Sequence, residues 1–255
     1  MKLASWNVNS VRARQERLCA WLAERQPDVL CLQETKVTDD DFPFTELARR
    51  GYVAVAHGQR TYNGVAILAR EAPSEVQRGL EDGVDDPQHR LIAARVGGVR
   101  VASVYVPNGG EVDSDKYAYK LAWLARLRAW VERTARPDEP LVLAGDFNVA
   151  PRPCDVAYPE AWESSVLFHP TARAALEPLF AWGLADVLAD KTPEGGVYSW
   201  WDYRQLAFPR GDGLRIDLVL ATAPVASRCT RAWVDRDARK GKLPSDHAPV
   251  IIELS

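Results

Sequence analysis

Cysteine is scarce: Cys19, Cys31, Cys154 and Cys229 are the only four in 255 residues, and no two form a CxxC pair. That spacing argues against a disulfide framework or a structural zinc site and suits a reducing compartment, with the four read as small buried apolar residues. Long apolar runs are missing too; nothing approaches the ~18 residues a membrane span needs. The first residues, MKLASWNVNS, lack the charged, apolar and small-residue order of an export signal, so a cytoplasmic protein without membrane contact is expected. There is no fixed-period repeat, low-complexity tract or linker. Nor does one sign of charge dominate: the net charge is -3 and the pI about 5.9. A partner bound by bulk positive charge is therefore a poor match. If nucleic acid is bound, the basic residues must gather on one face and some acids must serve a metal.

What is present is a core. Hydrophobic residues make up 47% of the chain, enough for a core in one large domain or two small ones; with no linker, a single domain over residues 1–255 is expected. Strand-like runs recur at residues 2–8, 28–33, 52–56, 64–69, 90–96, 99–106, 141–144, 214–220 and 248–254. Several, such as DVLCL, GVAIL and PLVLAG, are apolar throughout, as central strands covered on both faces are. Helical spacing appears at 11–25, with Ser10 as a cap and Pro27 as the stop, and at 115–135, with Tyr117, Leu121, Leu124, Leu127 and Val131 on one stripe. Residues 171–183 form a third helical pattern, interrupted near Pro178. Strands and helices alternate along the whole length, which predicts packed sheets with helices outside. Residues 147–170 and 191–213 read as long loops, and loops of that length are usually functional.

The polar residues sit at strand ends. The run at 2–8 delivers Asn7 and Asn9; the run at 28–33 leads into Glu34; the run at 99–106 carries Tyr105 and is followed by Asn108. The next ends in Asp146 and Asn148, Asp217 lies within the run at 214–220, and Asp246 and His247 precede the last. One such carboxylate is ordinarily a turn residue. Taken together they describe a pocket of Glu, Asp, Asn, Tyr and His, provided the strand ends converge. Carboxylates buried this way need a partner or a metal. Hard oxygen ligands without a second histidine or cysteine suit magnesium or manganese and not zinc. A divalent ion, an imidazole or carboxylate to activate water, and amide and phenol donors for developing charge point to hydrolysis of a phosphate ester.

The segments SWNVNSVRAR, PDVLCLQETK, YVPNGG, LAGDFN, YSWWDYR, GLRIDLVLA and PSDHAPV occur in the order seen in exonuclease III. The chain resembles that abasic-site endonuclease branch of the endonuclease–exonuclease–phosphatase superfamily over residues 1 to 255. GDFN and SDH specify only phosphoester hydrolysis; LQETK, YVPNG and SWWDYR together are specific to the DNA-repair branch. The resemblance implies an α/β fold, a four-layer αββα sandwich of two packed mixed sheets with helices on both outer faces. It implies Glu34 as the main magnesium ligand, with Asn7 and Asn9 beside it and Asp246 as a metal-side carboxylate. His247 should contact the scissile phosphate, oriented by Asp217. Asp146 and Asn148 should position or activate water, and Tyr105 and Asn108 should hold phosphate oxygens or assist the leaving group. The division of general acid and base among Asp146, His247 and Tyr105 stays open.

The resemblance also implies that Trp200, Leu214 and Ile216 wall an extruded, base-less sugar; a base-less nucleotide costs least to flip. Arg12, Lys36, Arg60, Arg90 and Arg204 are candidates for substrate contacts, the first four for backbone phosphates; such contacts position a duplex without reading sequence. The implied activity is magnesium-dependent cleavage 5′ to abasic sites in duplex DNA, leaving a 3′-hydroxyl, with 3′→5′ exonuclease and 3′-end cleaning. Manganese is a substitute metal. Duplex DNA with abasic sites or blocked 3′ ends is the expected partner, and the expected state is a monomer, nucleoid-associated in a bacterial cell. The chain departs from the pattern at Ser10, often Gly; at Asn9, an aspartate in some relatives; at Leu214, a tryptophan in one branch; and most over 150–170, the loop that helps set the balance of activities. The rival readings are a mainly 3′-exonucleolytic enzyme, another phosphoesterase of the superfamily, and an inactive DNA-end scaffold.

Overall fold

The computed structural model describes all residues, 1–255. In chain order the elements are β1 (Lys2–Asn7), α1 (Gln15–Arg25), β2 (Val29–Gln33), α2 (Phe44–Ala48), β3 (Val53–His57), β4 (Val65–Ala69), β5 (Ser74–Arg78), β6 (Leu91–Val96), β7 (Val99–Tyr105), α3 (Asp115–Thr134) and β8 (Leu141–Asp146). Short helices α4 (Pro159–Trp162), α5 (Pro170–Ala174) and α6 (Glu177–Trp182) follow. Then come β9 (Leu184–Asp186), α7 (Val187–Lys191), β10 (Trp200–Trp201), α8 (Ala207–Arg210), β11 (Gly213–Leu214), β12 (Asp217–Thr222), α9 (Ala223–Ala226), β13 (Cys229–Val234) and β14 (Val250–Leu254).

Two six-stranded mixed sheets form, ordered β13-β14-β1-β2-β4-β3 and β5-β6-β7-β8-β12-β9. Each has one parallel pair at its centre, β1 with β2 and β7 with β8. Successive side chains of a strand point to opposite faces. So Leu3 and Ile67 meet Ile92, Val101 and Val219 between the sheets, while Ala4, Leu30 and Leu68 face outward to Leu18, Trp21 and Leu22 of α1. On the other side Ala102, Leu143 and Leu218 pack on Trp123, Leu124 and Leu127 of α3. This is the expected four-layer sandwich. No helix is long and apolar enough to cross a membrane.

The differences from expectation have physical causes. Of the strands not anticipated, β5, β9 and β13 lie at sheet edges and β10 in a separate two-stranded sheet; β5 and β13 are partly exposed and carry no apolar run, and β9 and β10 are only three and two residues long. The run at 214–220 breaks after Leu214, and Asp217 is the first residue of β12 instead of lying inside a strand. The helical pattern at 11–25 becomes a helix only at Gln15; Ser10 Oγ instead accepts from the Ala13 N–H of a preceding turn. The interruption at 171–183 falls before Pro178, which sits in the first turn of α6, where a missing N–H costs nothing.

Candidate active site

The strand directions gather the polar residues at one end of the sandwich. β8 runs parallel to β7 and antiparallel to β12, so Asp146 is in register with both Tyr105 and Asp217. Gly145 makes the first pairing possible, since any Cβ there would run into the Val104 carbonyl. In the other sheet Asn7 is level with Gln33, and Glu34 follows directly. β14 pairs with β1 and delivers His247 just before it. Two loop serines complete the placement. Ser199 Oγ accepts from the N–H groups of Ile216 and Asp217 at 3.2 and 3.1 Å. Ser245 Oγ donates to the Asn7 carbonyl at 2.6 Å and accepts from His247 N–H at 3.2 Å.

At the centre, Asn7 Nδ2 donates to Glu34 Oε1 at 2.8 Å and to Asp146 Oδ2 at 2.9 Å. Its Oδ1 accepts from Asn9 N–H. Asp146 also accepts from the Asn148 N–H at 2.8 Å and Asn148 Nδ2 at 3.2 Å. Asn148 in turn accepts from Asn108 Nδ2 at 3.1 Å. His247 Nδ1 is 2.8 Å from Asp217 Oδ2, and its Nε2 is 3.7 Å from Asp146 Oδ2. Asp246 accepts from Asn9 Nδ2 and Trp200 Nε1, both at 3.0 Å. Asn9, Ser10, Glu34, Lys36 and Asn148 all have φ between 45° and 88°. Left-handed backbone is unfavourable for Glu and Lys, and its clustering is typical of functional sites.

The electrostatics follow from burial and the excess of acids. Burial alone would depress the His247 imidazole, but Asp217, Asp146 and Asp246 outweigh it and raise it to about 10, so it is a cation near neutrality. Burial raises Asp146 above the carboxylate range; His247 opposes this, and Asp217 and Glu34 add to it. Tyr105 is pushed well up by burial and by the charges of Glu34 and Asp146, which leaves a neutral phenol donor. Asp246 is held below the usual range: burial opposes its charge, but His247, Trp200 and Asn9 prevail.

Carboxylate oxygens of Glu34 and Asp146 and a ring nitrogen of His247 all lie within 4.8 Å of one another. With His247 protonated, the two carboxylates are the donors left for a cation. The Lys36 ammonium bridges Glu34 Oε2 at 2.7 Å and Asn9 Oδ1 at 2.6 Å. A hard divalent ion fits such a donor set.

The other expected residues fall into two groups. Trp200 pairs with Leu214 across the β10–β11 hairpin, and Leu214 and Ile216 are buried behind it. Arg90 turns inward, over the Tyr105 ring at 4.6 Å, and donates to the Tyr105 carbonyl. Arg12, Arg60 and Arg204 stay on the surface; Arg12 pairs with Asp41 and Arg204 with Asp202. Sequence reasoning missed Ser199, Ser245 and Lys120. It also missed Arg14, which donates to the Asn9 carbonyl at 2.6 Å and to Tyr203.

Comparison with known proteins agrees with this geometry. Residues 4–247 match the model of the Endonuclease/Exonuclease/phosphatase family. Exodeoxyribonuclease III of Haemophilus influenzae is 34% identical over 100% of both chains. An AP endonuclease from Archaeoglobus fulgidus has the same fold with a TM-score of 0.97 and 41% identity, covering 100% of this chain and 99% of that one. The 3′ phosphatase NExo from Neisseria, bound to a product DNA hairpin, follows at 0.96 and 43% with the same coverage. With its acids, imidazole and phenol at one sheet end, the chain belongs to the Endonuclease/Exonuclease/phosphatase family, in its exodeoxyribonuclease III and AP-endonuclease branch, and is a nuclease.

Proposed function

We propose that the protein is a magnesium-dependent DNA-repair nuclease. It hydrolyses the phosphodiester 5′ to abasic sites in duplex DNA, leaving a 3′-hydroxyl, and removes nucleotides and blocking groups from 3′ ends. The observation that carries this reading is the convergence of Glu34, Asp146, Asp217 and His247 from both sheets, with more acid than the nearby cations neutralise. Glu34, with Asn7, Asn9 and Asp246 around it, would hold the metal. Magnesium, with manganese as a substitute, would supply charge to the phosphate there.

The chain's own groups take the remaining roles. His247, kept protonated by Asp217, places a cation against the scissile phosphate. Asp146, with its oxygens aligned by Asn7 and Asn148 and its proton affinity raised toward neutrality, accepts the proton of the attacking water. Tyr105 and Asn108 donate to phosphate oxygens, and Arg90 stiffens Tyr105 from behind. Trp200, fixed on Asp246 and backed by the buried Leu214 and Ile216, walls the sugar. The exposed Arg12 and Arg60 would contact the flanking backbone and Arg204 the substrate nearby, while Lys36 is held on Glu34 and Asn9.

A second reading, mainly 3′-exonuclease and 3′-phosphatase with weak abasic cleavage, is favoured by residues 150–170, the loop least like the family pattern. One assay separates the two. A duplex with a single synthetic abasic site, an intact duplex with a recessed 3′ end, and a 3′-phosphate duplex are each incubated with magnesium and with chelator. A magnesium-dependent cut 5′ to the lesion supports the first reading. Trimming or dephosphorylation of 3′ ends alone supports the second. Cleavage of none, in the presence of magnesium or manganese, overturns both.

A further inference from the structure

Lys120 is fully buried on the inner stripe of α3, where the helical spacing alone would place an apolar residue. Leu121, expected there from the sequence, is only partly buried. No carboxylate pairs with the Lys120 ammonium. Its three donors go instead to three backbone carbonyls: Asn148 at 2.6 Å, Val166 at 2.6 Å and Asn108 at 3.1 Å. Each comes from a different segment. Asn108 follows β7, Asn148 follows β8, and Val166 lies in the divergent loop at 150–170. The hydrogen-bond network provides no other protein donor to these carbonyls. Gly109, at φ 97°, lies against the Lys120 stem, where a Cβ would meet Lys120 Cδ at 3.0 Å and Tyr117 Cδ2 at 3.3 Å.

We propose that Lys120 is a positioning residue for the phosphoester hydrolysis: it binds the backbones of Asn108, Asn148 and Val166 into one body, which fixes the amides that align Asp146 and grip phosphate. The proposal rests on the function assigned above. Asn148 ties the lysine to the reaction, since its N–H and Nδ2 both reach Asp146. The same contact extends to Asn108 through the amide–amide hydrogen bond. A shift of ~1 Å in such a group costs ~10²-fold in rate. A buried ammonium is a costly way merely to fill space, because burial pulls it down to about 7 and only Asp146 opposes this. Removing it relieves that desolvation but strands three carbonyls, so stability falls along with geometry, and a kcat loss beyond that of a core change on the same helix marks the positioning role.

The test compares Lys120→Met with Leu127→Ala, a core change on the same helix, in the intact chain with magnesium and a 3′-phosphate duplex. Lys120→Met should lower kcat ~10- to 100-fold with KM within about threefold, the signature of an interaction used in the transition state. Leu127→Ala should lower Tm at least as much and leave kcat within about twofold. Lys120→Gln, which keeps two donors, should recover part of the loss and serves if Lys120→Met fails to fold. Equal kcat in wild type and the lysine variants overturns the role. So does a kcat loss that Leu127→Ala reproduces. An unmutated protein inactive on every duplex would instead overturn the function assigned, which is a different failure.

Discussion

Two buried clusters of charge lie two residues apart in the chain and behave as opposites. Arg215 belongs to one, Asp217 to the other. In the first, Arg215 grips Asp155 with two nitrogens at 2.9 and 2.7 Å and Asp186 with a third at 2.7 Å, while Arg152 closes on Asp155 from outside. Two acids meet two guanidiniums. Burial works against the charge on Asp155, but Arg215 and Arg152 hold it below the ordinary carboxylate range. In the second, the direct ion pairs of Glu34, Asp146 and Asp217 are with Lys36 and His247 alone; Lys120 and Arg239 act on Asp146 and Asp246 without pairing with them. Asp217 Oδ1 is buried with no partner, and Asp146 is raised. A cluster that neutralises itself holds structure; one that keeps unspent negative charge is ready for a metal and a phosphate.

The largest expected effect tests the second cluster. His247→Asn and Asp146→Asn should each slow turnover by about three orders of magnitude, ~4 kcal/mol of transition-state stabilisation. DNA binding should persist, read by single-turnover kinetics beside a binding titration. Near-normal rates in both variants would mean that the unspent charge serves no chemistry. The first cluster should fail differently. Arg215→Met leaves Asp186 without a cation and Asp155 with Arg152 alone, and urea unfolding should show a loss of ~3–5 kcal/mol, the usual cost of breaking one side of a buried pair. Activity of the molecules that remain folded should fall far less than in His247→Asn. A near-neutral unfolding curve would erase the contrast.

How much of this was legible depends on what sequence patterns record. Central strands announce themselves as unbroken apolar runs because both faces are covered, and a carboxylate or imidazole beside such a run stands out. Glu34, Asp217 and His247 were therefore visible, and the resemblance added their roles. Edge strands β5, β9 and β13 left no run. Lys120 was hidden for another reason: a lysine in a helix that also carries Lys116, Arg126, Arg128 and Arg133 reads as solvated, and only the fold reveals three carbonyls around it. Ser199 and Ser245 were hidden too, since a serine in a loop has no pattern until its hydroxyl is seen to hold Asp217 or His247 in place. Arg215 sat between Leu214 and Ile216, in a segment read for its wall residues, so its partners in distant loops could not be guessed.

The smallest expected effect separates the clusters by pH. The folded His247 is raised from the ordinary imidazole value to about 10, so the stability it contributes is complete below about 6.5 and fades as pH rises toward 10. Asp155 is lowered, so its contribution is present above the ordinary carboxylate range and is lost only as pH falls through the depressed value. Thermal unfolding from pH 3 to 10 reads both. The Tm gap between wild type and His247→Asn should narrow by a few degrees on the alkaline side. That between wild type and Arg215→Met should hold through neutrality and narrow only in acid. Two gaps closing over the same pH range would show one electrostatic unit running through Ile216, because clusters that are separately balanced must release their protons in separate windows.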